Sequence, residues 1–293
     1  MAYTLSLDGT QTHEGSTPSA RIGSEGRINR IELFNDHFQN FKKYGIPKAQ
    51  LVLTDIPYNV GVNAYGSNPM WYIDGDNKNG ESKLAGKTFF DTDERFKIPE
   101  FLAFCTRMLK PEPKERGEAS CMVVFCAFDQ QWILIEEAKR HGLNNYINLV
   151  FRKDYSAQVL KANMRIVGNC EYALVLYREK LPKFRNNGRM VFNCLDMPRD
   201  NKTPKVHPTQ KSLPLIELLI RIFTDENDVV IDPCAGSGVT LLAAANLNRL
   251  GYGFEIKKNY FKDANGKILS CVNKYLFIDE NKEDIEIIQG ELI

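Results

Sequence analysis

The sequence predicts an α/β protein built on a doubly wound, mostly parallel sheet, and three observations predict it. Short apolar runs rich in Val, Ile and Leu alternate with amphipathic stretches of helical period along most of the chain. Two of those runs, Leu51-Val52-Leu53-Thr54-Asp55 and Val229-Val230-Ile231-Asp232, end in an acid, as strands do where such a sheet opens onto a crevice. The second runs on through Pro233-Cys234-Ala235-Gly236-Ser237-Gly238, a glycine-rich turn leading into an amphipathic helix and another strand. At 293 residues the chain suits one large domain with insertions.

In chain order, residues 1–26 are polar and read as a loosely ordered tail. Ile28 to Phe34 reads as a strand, with Asn35-Asp36 capping a helix from His37 to Tyr44. A strand over 50–54 then meets Asp55-Ile56-Pro57-Tyr58. Gly61 to Phe96 is long, polar and glycine-bearing, with Tyr65, Trp71 and Tyr72. It is either a functional loop or a surface insertion with buried aromatics. Ile98 to Leu109 reads as a helix stopped by Pro111 and Pro113. Cys121 to Phe125, Tyr146 to Phe151 and Tyr172 to Tyr177 read as strands, and Gln130 to Arg140 as a helix. Further helices span Leu213 to Phe223 and Val239 to Arg249. A strand over Gly251 to Ile256, a helix near Asn259 and an acidic end follow.

Composition excludes several classes. The net charge of +1 carries no global nucleic-acid signature. Seven cysteines without a CxxC pair argue against a disulfide framework or a zinc site. With no leader and no run of eighteen apolar residues, no membrane association is expected, and the reducing cytoplasm is the expected home. Charge is nevertheless segregated. Arg178 to Lys211 holds nine basic residues against three acidic ones, including Lys183, Arg185 and Arg189, which reads as a polyanion surface or as a solvated loop.

The turn after Leu53 suggests a chemistry. Asp55 and the carbonyl of Ile56 can together accept from one NH2 group, Pro57 stiffens the turn, and Tyr58 can stack on a planar heterocycle. Alone, this tetrapeptide is also an ordinary turn. In the second unit, Gly236 and Gly238 let the backbone approach a ligand and the helix start at Val239 offers free N–H groups. Glu255, at the tip of the following strand, suits ribose hydroxyls.

Asp55-Ile56-Pro57-Tyr58, then His207-Pro208-Thr209-Gln210-Lys211, then Asp232-Pro-Cys-Ala-Gly-Ser-Gly238 resemble, in that order, the amino-group DNA methyltransferases of the β arrangement. The resemblance runs from about Arg27 to Phe261. It implies a Rossmann-like methyltransferase fold with a small target-recognition insertion. The divisions are a catalytic half over 27–177, a DNA-recognition lobe over 178–206, a cofactor half over 207–270 and an acidic segment over 271–293. It implies S-adenosylmethionine as cofactor, double-stranded DNA as partner and no metal. It assigns catalysis to Asp55, Ile56, Pro57 and Tyr58, and the cofactor's adenine to Asp36. Glu255 goes to its ribose, and Asp232, Pro233, Cys234, Gly236, Ser237, Gly238 and Thr240 to its methionine part, with Thr209 and Lys211 beside it. Lys211 can equally meet a DNA phosphate.

Two positions depart from the family pattern. Ile56 stands where a first proline is usual, and Cys234 where phenylalanine is commoner. Cys234 is not expected to be a nucleophile, because direct amino methylation needs no thiolate. Aspartate at position 55 resembles adenine-N6 members; cytosine-N4 methylation and an inactive DNA-binding subunit are the alternatives. The resemblance implies a bacterial or phage-encoded enzyme, admits a homodimer and fits a chain with or without a restriction partner.

Overall fold

A computed structural model describes residues 31–58, 96–154, 158–161, 166–197, 199–270 and 272. The expected tail, the Gly61–Arg95 stretch with its aromatics and the acidic end lie outside these residues, as do Ile28 to Arg30.

Ten strands are described: β1 Ile31–Phe34, β2 Leu51–Asp55, β3 Cys121–Cys126, β4 Asn145–Lys153, β5 Gln158–Lys161, β6 Ile166–Gly168, β7 Cys170–Tyr177, β8 Cys194–Met197, β9 Val229–Asp232 and β10 Leu250–Phe254. Eight of them form one sheet in the order β1-β10-β9-β2-β3-β7-β4-β8. Only the β3–β7 and β4–β7 pairs are antiparallel. The sheet is therefore mostly parallel, as expected. β5 and β6 form a separate antiparallel pair.

Helices cover both faces. Alternation within the central strands sends Val52, Met122 and Val124 against α1 (Ile98–Met108) and α2 (Gln130–Arg140). Leu51, Leu53, Val123 and Val230 face α3 (Leu213–Phe223) and α4 (Val239–Asn246). α3 begins with Pro214 in its first turn, where a missing N–H costs nothing, and buries Leu215, Ile216, Leu219 and Ile220. β2 is buried on both faces because β9 and β3 flank it and helices cover it, so its side chains need no polar alternation.

Several boundaries differ from expectation. The stretch after β1 is a 3-10 helix, Phe38–Lys43, capped by His37, whose ring nitrogen accepts from the Gln39 N–H. α4 ends at Asn246, because Asn248 adopts a left-handed φ of 58° and Arg249 turns back to donate to Thr224 Oγ1 and its carbonyl. After α4 and β10 come α5 (Lys258–Asp263) and a π-helical turn, Ala264–Leu269. β8, absent from the sequence reading, lies inside the expected 178–206 lobe and joins the main sheet as an edge strand beside β4. Among the described residues no helix is long and apolar enough to cross a membrane.

Candidate active site

Parallel register brings the tips of β1, β10, β9, β2 and β3 to one edge of the sheet. Phe34 pairs with Phe254, Gly253 with Asp232, and Asp55 with Phe125. Asn35, just beyond β1, donates to the Glu255 carbonyl at 2.8 Å. Asp55, Asp232 and Glu255 thus meet although the chain separates them widely.

Asp55 lies in a buried charge cluster. Lys211 Nζ, on a side chain only 6 % exposed, is 2.6 Å from Asp55 Oδ2 and 2.9 Å from Glu171 Oε2. It also donates to Tyr58 OH at 3.3 Å and sits 5.4 Å from the centre of the Tyr58 ring. Glu171 in turn pairs with Lys153. Asp55 Oδ1, shut off from solvent, has no hydrogen-bond partner among the described residues. Burial pushes the Asp55 carboxyl above its ordinary value, with the Lys211 ammonium pulling against it. Pro57 is fixed from outside, because Gln130 Nε2 donates to its carbonyl at 2.8 Å while Gln130 Oε1 accepts from Ala127 N. The Ile56 side chain is buried and its N–H donates to the Phe125 carbonyl, so the non-proline residue continues the β2–β3 pairing by one bond.

The glycine-rich turn forms a second cluster. Asp232 Oδ1 accepts from Thr54 Oγ1 at 2.7 Å and from Cys234 N at 3.1 Å, and burial pushes its carboxyl up to about 6. Thr240 also bonds to Asp232, and Ser237 Oγ accepts from Val239 N. Glu255 Oε2 accepts from Gly236 N at 2.9 Å and Oε1 from Lys257 N at 2.7 Å, while burial raises its carboxyl to about 7. Gly236 and Gly238 hold positive φ of 50° and 79°, a region that penalises a Cβ. Pro233 occupies the turn leaving β9. Burial and the Asp232 and Glu255 carboxylates push the Cys234 thiol far up.

The His207–Lys211 segment joins the two clusters. A Cβ at Gly236 would lie 3.6 Å from the His207 ring, and Thr209 Oγ1 is 3.1 Å from His207 Nδ1. Thr209 thus bonds to the ring that faces Gly236. Lys211 instead lies against Asp55, in the buried charge cluster around it. Its ammonium is held by two carboxylates and is not presented to a cofactor or a phosphate.

Two other expectations meet residues already engaged within the fold. Asp36 Oδ1 accepts from His37 N and Asn40 Nδ2, and Oδ2 from Tyr44 OH and Lys43 Nζ. Asp36 is thus engaged within its own turn, the exposed Lys43 among its partners, and its expected role toward the cofactor's adenine is not carried by these contacts. Lys183 pairs with Asp225 and Asp228, and Arg185 with Asp225 and Glu118. Asp228 precedes β9 and Glu118 precedes β3, so this stretch packs at the amino ends of the strands, opposite Asp55. Arg189 is exposed on the turn that follows it. The later basic residues lie at the other end, where Asp200 accepts from Leu213 N at the start of α3.

Sequence reasoning missed Glu171, Lys153 and Thr54. The signal for Glu171 was available: it alternates with Ala173 and Val175, which face the core, so an acid there needs a buried partner.

A doubly wound sheet with two acidic clusters at its carboxyl edge, one around a glycine turn and one around a proline-stiffened aspartate, defines a methyltransferase-type α/β enzyme. The chain belongs to the DNA methylase family, whose family model matches residues 49–266. It is 41 % identical over 245 residues to the type II methyltransferase M.HpaI of Haemophilus parainfluenzae, covering 78 % of this chain and 71 % of that one. It is 25 % identical over 266 residues to the DNA adenine methyltransferase YhdJ of Escherichia coli, covering 83 % and 82 %. Two solved structures share the fold. One is the M1.HpyAVI–SAM complex, with TM-score 0.57, 23 % identity and coverage of 81 % of this chain and 100 % of that one. The other is the cytosine-N4-specific PvuII DNA methyltransferase, with TM-score 0.58, 15 % identity and coverage of 84 % and 91 %.

Proposed function

We propose that this DNA methylase transfers a methyl group from S-adenosylmethionine to the N6 amino group of adenine in double-stranded DNA. The observation that carries the reading is Asp55 Oδ1, a buried carboxylate oxygen without a partner among the described residues. Such an oxygen is costly unless a ligand donor satisfies it, and an amino N–H is that donor. Aspartate at this position and the likeness to an adenine methyltransferase favour adenine as the bearer of the amino group.

The residues of the glycine turn fit the cofactor. Glu255 uses one lone pair of each oxygen on a backbone N–H and keeps others for ribose hydroxyls. Gly236 and Gly238 keep the turn open to close approach, and Asp232, Ser237 and Thr240 fix its shape. Bound there, S-adenosylmethionine supplies an electrophilic methyl group on a positive sulfonium centre. On the target side, Asp55 Oδ1 orients the amino group, whose lone pair is otherwise delocalised into the ring. After methylation the nitrogen carries a positive charge and one proton too many. Asp55 opposes that charge in a water-poor site and is placed to take the proton.

A base in a duplex cannot reach Asp55, so the nucleotide is flipped out, and Tyr58 stacks on it for about 1–3 kcal/mol. Phosphate contacts fall to Arg199, Lys202 and Lys205, which lead into the His207 segment at the crevice. The test is to incubate unmodified genomic DNA with the protein and S-adenosylmethionine and identify the methylated nucleoside by mass spectrometry. N6-methyladenine is expected; N4-methylcytosine or no product would overturn the reading.

A further inference from the structure

Lys211 sits between two carboxylates of unequal duty. Asp55 Oδ2 is 2.6 Å away and Glu171 Oε2 2.9 Å, and the other oxygen of Glu171 is held by Lys153. The four side chains come from β2, the segment before α3, β7 and β4, so they form a chain along the carboxyl edge of the sheet: Asp55, Lys211, Glu171, Lys153. All four are at most one-quarter exposed, and their charges sum to zero.

We infer that Glu171 is a positioning residue for methyl transfer: by sharing Lys211 with Asp55, it sets how basic the catalytic carboxylate is and which of its oxygens faces the target. The inference rests on the reading of Asp55 given above. Were Lys211 paired with Asp55 alone, its whole charge would fall on one carboxylate in a poorly solvated place. That carboxylate would then be a weak acceptor for a cationic nitrogen and its proton. A second carboxylate on the same ammonium divides that attraction. Lys153 limits the effect from the far side, because whatever it draws from Glu171 is unavailable to Lys211. The Lys211 ion pair also occupies Oδ2, so that Oδ1 is left for the substrate.

The other ionisable groups near Asp55 differ in place and effect. Tyr58 lies on its own turn and bonds to Lys211. Cys126 at the end of β3 and Cys234 beyond β9 have thiols raised by burial, so they stay neutral in the working range. Asp232 on β9 is raised to about 6, by burial above all and in part by the Asp55 carboxylate, and does not touch Lys211. Of these groups, Glu171 and Tyr58 touch Lys211 directly, and only Glu171 is charged.

The experiment measures kcat against pH for the whole protein, with saturating S-adenosylmethionine and unmodified genomic DNA, so that groups acting only through cofactor binding drop out. Asp55→Asn is run first, and full activity there would overturn the reading of Asp55 itself, separately from the role of Glu171. With activity lost in Asp55→Asn, Glu171→Gln is expected to lower kcat about tenfold and to move the acidic limb down by about half a pH unit or more. KM for the cofactor should stay within about twofold, and Glu171→Asp should restore the parental limb in large part. Lys153→Met should move the limb the opposite way, upward, because Glu171 then turns wholly to Lys211. Opposite shifts from the two variants support the inference. If Glu171→Gln fails to fold, the upward shift in Lys153→Met decides alone. An unmoved limb in folded variants, or shifts of the same sign, would overturn it and leave Glu171 as packing.

Discussion

Thr54 Oγ1 donates to Asp232 Oδ1 at 2.7 Å, joining the tip of β2 to the tip of the strand that opens the glycine turn. Thr54 precedes Asp55, the proposed catalytic carboxylate, so this bond couples the two clusters through the backbone. Replacing the hydroxyl by a methyl in Thr54→Val keeps the shape and leaves a buried carboxylate short of one donor. We expect a stability loss of about 1.5–3 kcal/mol and weaker cofactor binding. Urea unfolding and calorimetric titration with S-adenosylmethionine read both, and an unchanged midpoint would show the bond to be idle.

For Asp55→Asn the charge goes and the shape stays. Methyl transfer should fall at least about 100-fold, as when a pre-organised electrostatic partner is removed, while the fold remains intact by circular dichroism. Turnover within tenfold of the parent would assign catalysis elsewhere.

The Glu255 carboxyl, at about 7, predicts a pH effect of two opposite signs. Its ordinary value is 4.5, so between about 4.5 and 7 the folded protein holds a proton that the unfolded chain has released. Without ligand, this group's contribution to folding stability therefore falls as pH rises through that window. If Glu255 holds the ribose as proposed, cofactor binding goes the other way, because the ionised carboxylate is the stronger acceptor for hydroxyl groups. Below pH 7 the affinity should drop by up to about tenfold per pH unit, and Glu255→Gln should flatten the profile. A parental profile that is flat from pH 5.5 to 8 would remove Glu255 from the cofactor site.

Neutralising charges at the two ends of the basic stretch should produce two different outcomes. Lys183→Met breaks a part-buried network with Asp225 and Asp228 and should cost about 2 kcal/mol of stability, with DNA affinity unchanged. Lys202→Ala with Lys205→Ala should leave stability alone and flatten the salt dependence of DNA binding, by up to about 0.9 log units per log salt for each phosphate no longer neutralised. Filter binding at several salt concentrations separates them. The reverse pattern would return DNA recognition to the Lys183 side.

Much of this was legible because hydrophobic patterning speaks loudly where burial is complete. The runs of β2 and β9 are apolar on both faces and each ends in a single acid, so both their positions and their crevice-facing tips could be read. α2 and α3 match their expected bounds residue for residue, since periodicity and stop signals agree. β8 has four residues, only one of them buried, and offers no such pattern. The charge of 178–189 was read without its partners. Asp225 lies 42 residues beyond Lys183, and Glu118 lies 67 before Arg185, so composition alone could not show that this stretch is neutralised at the far end of the sheet. The partners of Asp36 were hidden for a related reason: a strand-tip acid looks free in sequence, while Asn40 and Tyr44 fold back onto it.

The interleaving of β9 between β10 and β2 has a consequence for how the protein comes into being. The bond from Thr54 to Asp232 closes a span of 178 residues, so the middle of the sheet has to wait for nearly the last strand to be made. While a ribosome is still translating α3, β2 has β3 on one side and a bare edge on the other, and Asp55 has no Asp232 behind it. The site at the carboxyl edge therefore closes late in synthesis, with β9 and then β10 and Glu255. A truncated product ending before β9 would expose an aggregation-prone strand edge and could not modify DNA.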